Sequence, residues 1–373
     1  MVIDLHKRSI DYILLISIIV LSLFGLMMVF SASNVVAKEK FGDPLYYFKR
    51  QLLFFIVGII LVYFIIRFDI LKITKYINFI FLFCLALLIL VLIPGIGLVR
   101  GGARSWIGVG GFSIQPSEFM KLGLVGLYAK YLSENYKDLK KLKNFIMLFS
   151  LAGVIFLIIM LQPDFGTGLV IVLSAALMIY IAGVPIKYFV VIILIGLAGA
   201  VLLILSAPYR VERILAFIDP WKDPLGSGFQ GIQSLFAITP GGLFGHGFNQ
   251  SMQKHFFLPE PQNDFIYAIL IEEFGLIGGL FTLVLYFIII YRSVIIALSV
   301  RNDFLKFYIM GITLSLAIQV TINICVVIGL LPVTGITLPL FSYGGSSLVL
   351  TLVSLAIIVS SSKYRNYDFN WGG

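Results

Sequence analysis

Apolar runs about 20 residues long recur along the whole 373-residue chain, and few folds can accommodate them. About ten can be marked off: Tyr12–Phe30, Leu52–Ile66, Ile77–Ile93, Ser117–Leu132, Phe145–Leu161, Thr167–Ala182, Tyr188–Leu205, Phe265–Tyr291, Phe304–Leu331 and Ser346–Ser360. They are continuous and do not alternate with period two, which favours helices over a barrel. Lipid offers a peptide group no hydrogen-bond partner, so segments of this length cross as helices. Composition agrees, with 60% hydrophobic and only 12% charged residues, against about 25% charged in soluble domains. The sequence predicts an all-α polytopic membrane protein: one integral domain, residues 1–373, with no soluble domain appended.

The first run follows Lys7 and Arg8 and ends near Ser31-Ala32-Ser33, loosely like a signal-peptide cleavage site. It is longer than a signal core and many runs follow, so it reads as an uncleaved first helix. The net charge of +9 comes from basic residues in short segments between runs, a topology signal and not a nucleic-acid footprint. With the N-terminus in the cytoplasm, about 16 basic residues fall inside, among them Arg67, Lys72, Lys75, Lys141 and Arg292, against about 11 outside. Ten spans return the C-terminus to the cytoplasm. The placement predicted is the cytoplasmic (inner) membrane, multi-pass, with the working site outside.

Cys84 and Cys325 lie within apolar runs and read as core residues. His6, His246 and His255 make no ligand-spaced cluster, and no GxxxxGK[ST], HExxH or GxSxG pattern occurs.

A long segment, about 207–264, separates the seventh and eighth runs and holds most of the unusual polar residues. Long loops in compact folds are usually functional. Arg210 and Arg213 are three apart and would share a helix face, suited either to a diphosphate or to interfacial anchoring. Thr239-Pro240-Gly241-Gly242-Leu243-Phe244-Gly245-His246-Gly247 reads as a turn, with a phosphate cradle as the weaker alternative. Asp264 stands where the eighth helix begins, as an N-cap or as a carboxylate at the membrane surface able to take a proton. Glu118 and Lys121 would pair on one helix face; Asp164 sits between two runs; Glu272 and Glu273 follow Asp264 by two turns. Together they suggest a polar cavity opening outward.

These residues fall in segments that resemble the SEDS proteins (shape, elongation, division and sporulation), nearest the FtsW/SpoVE branch, with RodA a near relative. The matching segments are SASNVVAKEKFGDPLYYFKRQ, QPSEFMKL, QPDFGTG, YRVERILAFIDPWKDPLGSGFQ, QKHFFLPEPQNDFIYAILIEEFGLIG and LLPVTGITLPLFSYGGSS. They span nearly the whole chain. The resemblance implies an inverting peptidoglycan glycosyltransferase that polymerises lipid II, an undecaprenyl-diphosphate-linked precursor, through β-1,4 links for septal wall synthesis. It implies Asp264 as the essential aspartate and Glu118/Lys121 as the family's Glu/Lys pair. Where many relatives have a histidine-threonine pair before that aspartate, this chain has Gln262-Asn263. It implies a class B penicillin-binding transpeptidase as partner, alongside other divisome or elongasome membrane proteins. Chemically, Arg210, Arg213 and Lys254, or a divalent cation such as Mg²⁺ or Mn²⁺, would neutralise the departing diphosphate, with Asp164 supporting the site. A lipid II flippase, a RodA-like elongation polymerase and a scaffold that only recruits the transpeptidase are the alternatives.

Overall fold

The computed structural model describes residues 9–365 apart from 101, 110–111, 140, 206–210, 212–214, 216 and 227. There are eleven described α-helices, ten of which follow the apolar runs: α1 (Tyr12–Phe41), α2 (Tyr46–Arg67), α3 (Ile73–Leu90), α4 (Pro116–Glu134), α5 (Leu142–Met160), α6 (Phe165–Ile181), α7 (Ile186–Leu205), α8 (Phe229–Ile238), α9 (Ile266–Ser299), α10 (Asp303–Val327) and α11 (Gly345–Ser361). Seven helical segments are long and apolar enough to cross a membrane: those of α1, α2, α3, α5, α9, α10 and α11. Helices α6 and α7 are apolar but contribute shorter qualifying stretches. Helix α4 carries Glu118, Lys121, Lys130 and Glu134 within 19 residues, which lowers its hydropathy although its middle is buried.

Helix α4 lies at the centre, packed on α3 and α10, while α10 also packs on α6 and α9. Helix α1 packs on α2 and α9, and α2 on α11. Helix α7 meets this bundle near its first turn, where Tyr188 and Phe189 pack on Phe145 of α5 and Phe189 on Tyr180 of α6. The outward surface is apolar, with Phe64, Phe79, Leu157, Leu194 and Phe287 all exposed. Exposed apolar area on this scale is what a bilayer covers.

Two buried charge clusters lie along α1, one at its start and one two-thirds of the way along it. At its start Asp11 caps the helix through Leu14 N–H (2.9 Å) and takes Arg292 Nη2 at 2.6 Å and the Arg365 guanidinium. Twenty residues on, Ser31 donates to Glu273 of α9 at 2.6 Å. A helix rises 1.5 Å per residue, so the clusters stand about 30 Å apart, the thickness of a hydrocarbon core. The last turns of α1, through Lys38 and Lys40 to Gly42, continue beyond that level.

Three features lie outside the sequence expectation. A three-stranded antiparallel sheet, β1 (Gly97–Arg100), β2 (Ala103–Val109) and β3 (Phe112–Ile114), joins α3 to α4. Helix α8 forms within the long loop and packs on α9. Helix α9 is broken at Gly275, whose φ of 65° and ψ of −166° are non-helical. The freed backbone groups are met by the glycine-rich loop: His246 and Gly247 N–H donate to the Glu272 and Glu273 carbonyls, and Leu276 and Ile277 N–H donate to Gly242 and Leu243. A Cβ on Gly275 would lie 2.3 Å from Leu243 O, and one on Gly245 2.3 Å from Glu273 C and O. The glycines thus serve a backbone splice, the turn reading, and their N–H groups are not gathered for phosphate.

Candidate active site

The site is built where α4, α6, α10 and α11 end on the face that bears the long loop. Gln115 precedes α4, and its side chain donates to Asp164 Oδ2 at 2.9 Å; Ser117 Oγ reaches the same oxygen at 3.3 Å. Asp164 caps α6 by accepting Thr167 N–H at 3.2 Å. Burial raises the Asp164 carboxyl above the ordinary carboxylate range, opposed by these Thr167 and Gln115 hydrogen bonds, while Glu118 raises it further.

One turn into α4, Glu118 and Lys121 form the expected pair, Nζ to Oε1 2.9 Å. The lysine also donates to Gln319 of α10 at 2.7 Å. Ser347 of α11 lies 3.4 Å from Glu118 Oε2. A narrow cavity of about 50 Å³ descends beside the pair, lined by Ser315, Gln319, Thr351 and Ser354 among others. That is room for a few waters and too little for a sugar.

Asp264 ends the long loop one residue short of the N-cap of α9. Phe265 is that N-cap, and no side chain caps the helix. The cap reading is therefore corrected: the turn at 261–265 places Asp264 before the cap position. Among the described residues nothing donates a hydrogen bond to its carboxylate. Its backbone is held instead, because Asn323 Nδ2 donates to Asp264 O at 2.8 Å and to Ile336 O at 2.7 Å. One turn earlier on α10, Gln319 Nε2 donates to Thr337 O at 3.0 Å. Gly335 presents its α-carbon face to the carboxylate, with a Cβ there only 3.9 Å from Oδ2. Burial, then Glu260, then Asp164 push the Asp264 carboxyl up to about 6. It thus stays ionised at neutral pH yet accepts a proton more readily than a solvated aspartate.

Lys254 does not join this group. It is 1% exposed and its ammonium is committed to Glu273 Oε1 (3.2 Å) and Asn249 Oδ1 (2.6 Å). Burial lowers its pKa, and Glu273 pulls it back. Assignment of Lys254 to a diphosphate is corrected: its charge is spent inside the scaffold. Arg210 and Arg213 lie outside the described residues. The structure thus brings together Asp264, Asp164, Glu118 and Lys121. Sequence reasoning missed Gln319 and Asn323; the available signal was two amides four residues apart on one face of an apolar span. Among the described residues no group of three or more His, Cys, Asp or Glu side chains is arranged to hold a metal ion.

Fold and site together define a helical membrane protein with a group of carboxylates, Asp164, Asp264 and Glu118, gathered at one membrane face. Residues 12–367 match the family described as Cell cycle protein (FtsW/RodA/SpoVE), and the chain belongs to that family. It is 51% identical to Stage V sporulation protein E of Bacillus subtilis (strain 168) over 362 residues, 97% of this chain and 99% of that one. It is 38% identical to a probable peptidoglycan glycosyltransferase FtsW of Geobacter sp. (strain M18), covering 94% and 96%. A chain solved in a peptidoglycan synthase complex, where polymerisation and crosslinking are coordinated, superposes with a TM-score of 0.76 at 29% identity, covering 96% and 99%. The rod shape determining protein RodA of Thermus thermophilus gives 0.68 at 25%, covering 96% and 98%.

Proposed function

We propose that this chain is a peptidoglycan glycosyltransferase that polymerises lipid II, with Asp264 as the general base. Similarity to FtsW relatives bearing that activity in their names supports the reaction class. The observation that carries the residue assignment is a half-buried carboxylate raised to about 6, held through its backbone and given no donor by the described residues. Removal of the acceptor hydroxyl's proton by Asp264 lets that oxygen attack the anomeric carbon of the donor sugar. The bond to the lipid diphosphate breaks with its electron pair leaving on the diphosphate, and the configuration inverts in one displacement. The donor's α-link becomes a β-1,4 link, and the proton stays on Asp264 until water removes it.

Charge leaving on the diphosphate needs a cation. Arg210 and Arg213 are the basic residues proposed for it. Mg²⁺ typically binds through one or two carboxylates plus substrate phosphates, and Asp164 would be the carboxylate to hold it, leaving Asp264 to take the proton. Such an ion would supply charge neutralisation. The Glu118–Lys121 pair acts through Gln319 on the 334–338 segment that borders Asp264.

The proposal places ten spans in the cytoplasmic membrane, counting α1–α7 and α9–α11, with both termini inside and the 207–264 loop and Asp264 outside. It gives the chain a class B penicillin-binding transpeptidase as partner, supported by likeness to a chain of a synthase complex. The cellular role proposed is septal synthesis. A sporulation role is the second reading, favoured by 51% identity to the sporulation protein against 38% to FtsW.

The test is lipid II polymerisation by the purified chain, with and without its transpeptidase. Asp264→Asn should fold and bind the transpeptidase yet lose about 10²–10⁴-fold in rate. Near-normal polymer from that variant would remove the assignment, and none from the unmodified chain would favour a flippase or scaffold.

A further inference from the structure

The turn between α1 and α2 gathers aromatic rings at the face that bears Asp264. Helix α1 ends on Gly42, whose φ of 71° is left-handed and whose N–H returns to Lys38 O at 2.9 Å. Asp43 then accepts the Leu45 N–H at 2.9 Å and pairs with Lys49 at 2.8 Å, and α2 begins at Tyr46. So tight a reversal lays Phe41 face to face on Tyr46, with ring centroids 3.8 Å apart. Tyr47 meets both rings edge-on, at 5.8 and 5.4 Å. Tyr343, from the segment before α11, meets Tyr47 at 4.9 Å.

Hydrogen bonds tie this row to the site. Gln51, in the second turn of α2 and 1% exposed, donates to Ser342 O at 3.0 Å and accepts the Gly344 N–H at 3.2 Å, bracketing Tyr343. Tyr343 N–H donates to Gln262 O at 2.8 Å, two residues before Asp264. The row therefore runs from Phe41 at the tip of α1 to the turn that carries the proposed base. Its rim is polar. The Arg50 guanidinium lies 5.2 Å over the Tyr46 ring and donates to its hydroxyl. Glu260 is near enough to Tyr47 to act on it electrostatically. At the inner end the side-chain oxygens of Gln262 and Asn263 are buried and accept no hydrogen bond from the described residues.

Phe41 is 47% exposed, and Tyr46, Tyr47 and Tyr343 each keep part of their surface open. Aromatic rings at a membrane interface otherwise anchor a helix among headgroups. An anchor needs neither a hydrogen-bonded link to the Asp264 turn nor unmatched buried acceptors beside it, which are costly to leave without donors. A β-1,4-linked amino-sugar strand needs both. Each of its rings shows a C–H face that packs on the negative face of an aromatic ring. Its hydroxyl and amide groups point from the ring edges, where Glu260, Gln262 and Asn263 can accept them.

Resting on the glycosyltransferase reading, we propose that Phe41, Tyr46, Tyr47 and Tyr343 form a shelf that holds the β-1,4-linked amino-sugar strand as it extends from Asp264. The shelf keeps the strand at the site between additions, and so governs strand length.

The test is isothermal titration calorimetry of the purified full chain with chitohexaose, a β-1,4-linked N-acetylglucosamine oligomer that lacks lipid, diphosphate and peptide. The unmodified chain should bind it about tenfold more tightly than maltohexaose, whose α-links curl the chain and turn successive rings away from one row. Phe41→Ala removes the exposed ring at the far end, so the fold stays intact, and should weaken chitohexaose about tenfold. Tyr47→Leu, compared as the folded monomer, keeps the bulk without the aromatic face and should weaken it by at least as much. In lipid II polymerisation, Phe41→Ala should shorten the strands severalfold. No chitohexaose binding by the unmodified chain, equal binding of maltohexaose, affinity unchanged in Phe41→Ala, or strands of unchanged length would overturn the proposal. Chitohexaose bound by the shelf of a chain that makes no polymer would uphold the shelf and remove the glycosyltransferase reading.

Discussion

Two acidic clusters stand at the same membrane face, and they are finished to different degrees. In the first, Glu272 and Glu273 face each other's loop partners with every demand met. Glu272 accepts Ser251 Oγ (2.5 Å) and Met252 N–H (2.7 Å); Glu273 accepts Ser31 Oγ, Asn249 N–H and the Lys254 ammonium. Both glutamates are 0–1% exposed. In the second, Asp164 is partly satisfied, and the Asp264 carboxylate is given no hydrogen bond by any described residue, although its backbone carbonyl accepts from Asn323. Buried polar groups normally find partners, because a missing one costs about 1–3 kcal/mol. The contrast teaches which cluster is scaffold and which is reserved for substrate. Saturated carboxylates splice the broken helix α9 to the long loop; the unsaturated one stands just before the start of the same helix.

This comparison can be broken most severely at Glu273. Glu273→Ala leaves the Lys254 ammonium buried without its carboxylate partner. The expected loss is about 3–5 kcal/mol, seen in thermal unfolding, with polymer yield falling only as the folded fraction falls. If the purified variant kept its stability, the scaffold role would fail.

The Glu118–Lys121 pair comes next, because it is partly exposed, at 7% and 13% of its side-chain areas. Lys121→Met should cost about 3 kcal/mol by leaving Glu118 alone, and the neutral pair Glu118→Gln with Lys121→Met should recover part of it. A double variant no better than the single one would show that the two charges are not coupled.

A smaller effect is expected at Asn323. Asn323→Ala removes two hydrogen bonds, to Asp264 O and Ile336 O, costing about 1–3 kcal/mol. Because the Asp264 turn is released, kcat should fall while KM stays. Ser234→Ala, which removes a hydrogen bond to Val327 O at 2.7 Å, should lower stability and leave kcat unchanged. Equal kinetic effects from both would reduce Asn323 to packing.

Much of the architecture was legible because apolar length is a one-dimensional signal. Each marked run became a helix, with ends a few residues out; Leu52–Ile66, for instance, became Tyr46–Arg67. The extension of α1 to Phe41 was not legible, since Ser31–Lys40 is polar and is held helical partly by the long-range Ser31–Glu273 contact. The Gly275 break was hidden for the same reason: the loop that repairs it lies about 30 residues earlier. In the site, Glu118 and Lys121 were legible as an i, i+3 pair. Lys254 was misplaced because charge alone does not tell a lysine facing substrate from one facing Glu273. Asn323 and Gln319 were overlooked because an amide in an apolar span carries no charge to draw the eye.

The central claim is that Asp264 is ionised at the expense of the fold. Its folded pKa of about 6 lies above the ordinary 3.8, so the native state binds more protons than the unfolded one between those values. Stability that is present below about pH 4 is therefore lost as pH rises through 6. Asp264→Asn does not titrate. Thermal unfolding of the two chains, compared at about pH 4 and about pH 8, tests this directly. At the lower pH they should be nearly equally stable. At the higher pH the Asn variant should be more stable by about 2 kcal/mol, after discounting for solvent screening, although it makes almost no polymer. An Asn variant that is instead less stable at about pH 8 would show a satisfied structural carboxylate and contradict the account.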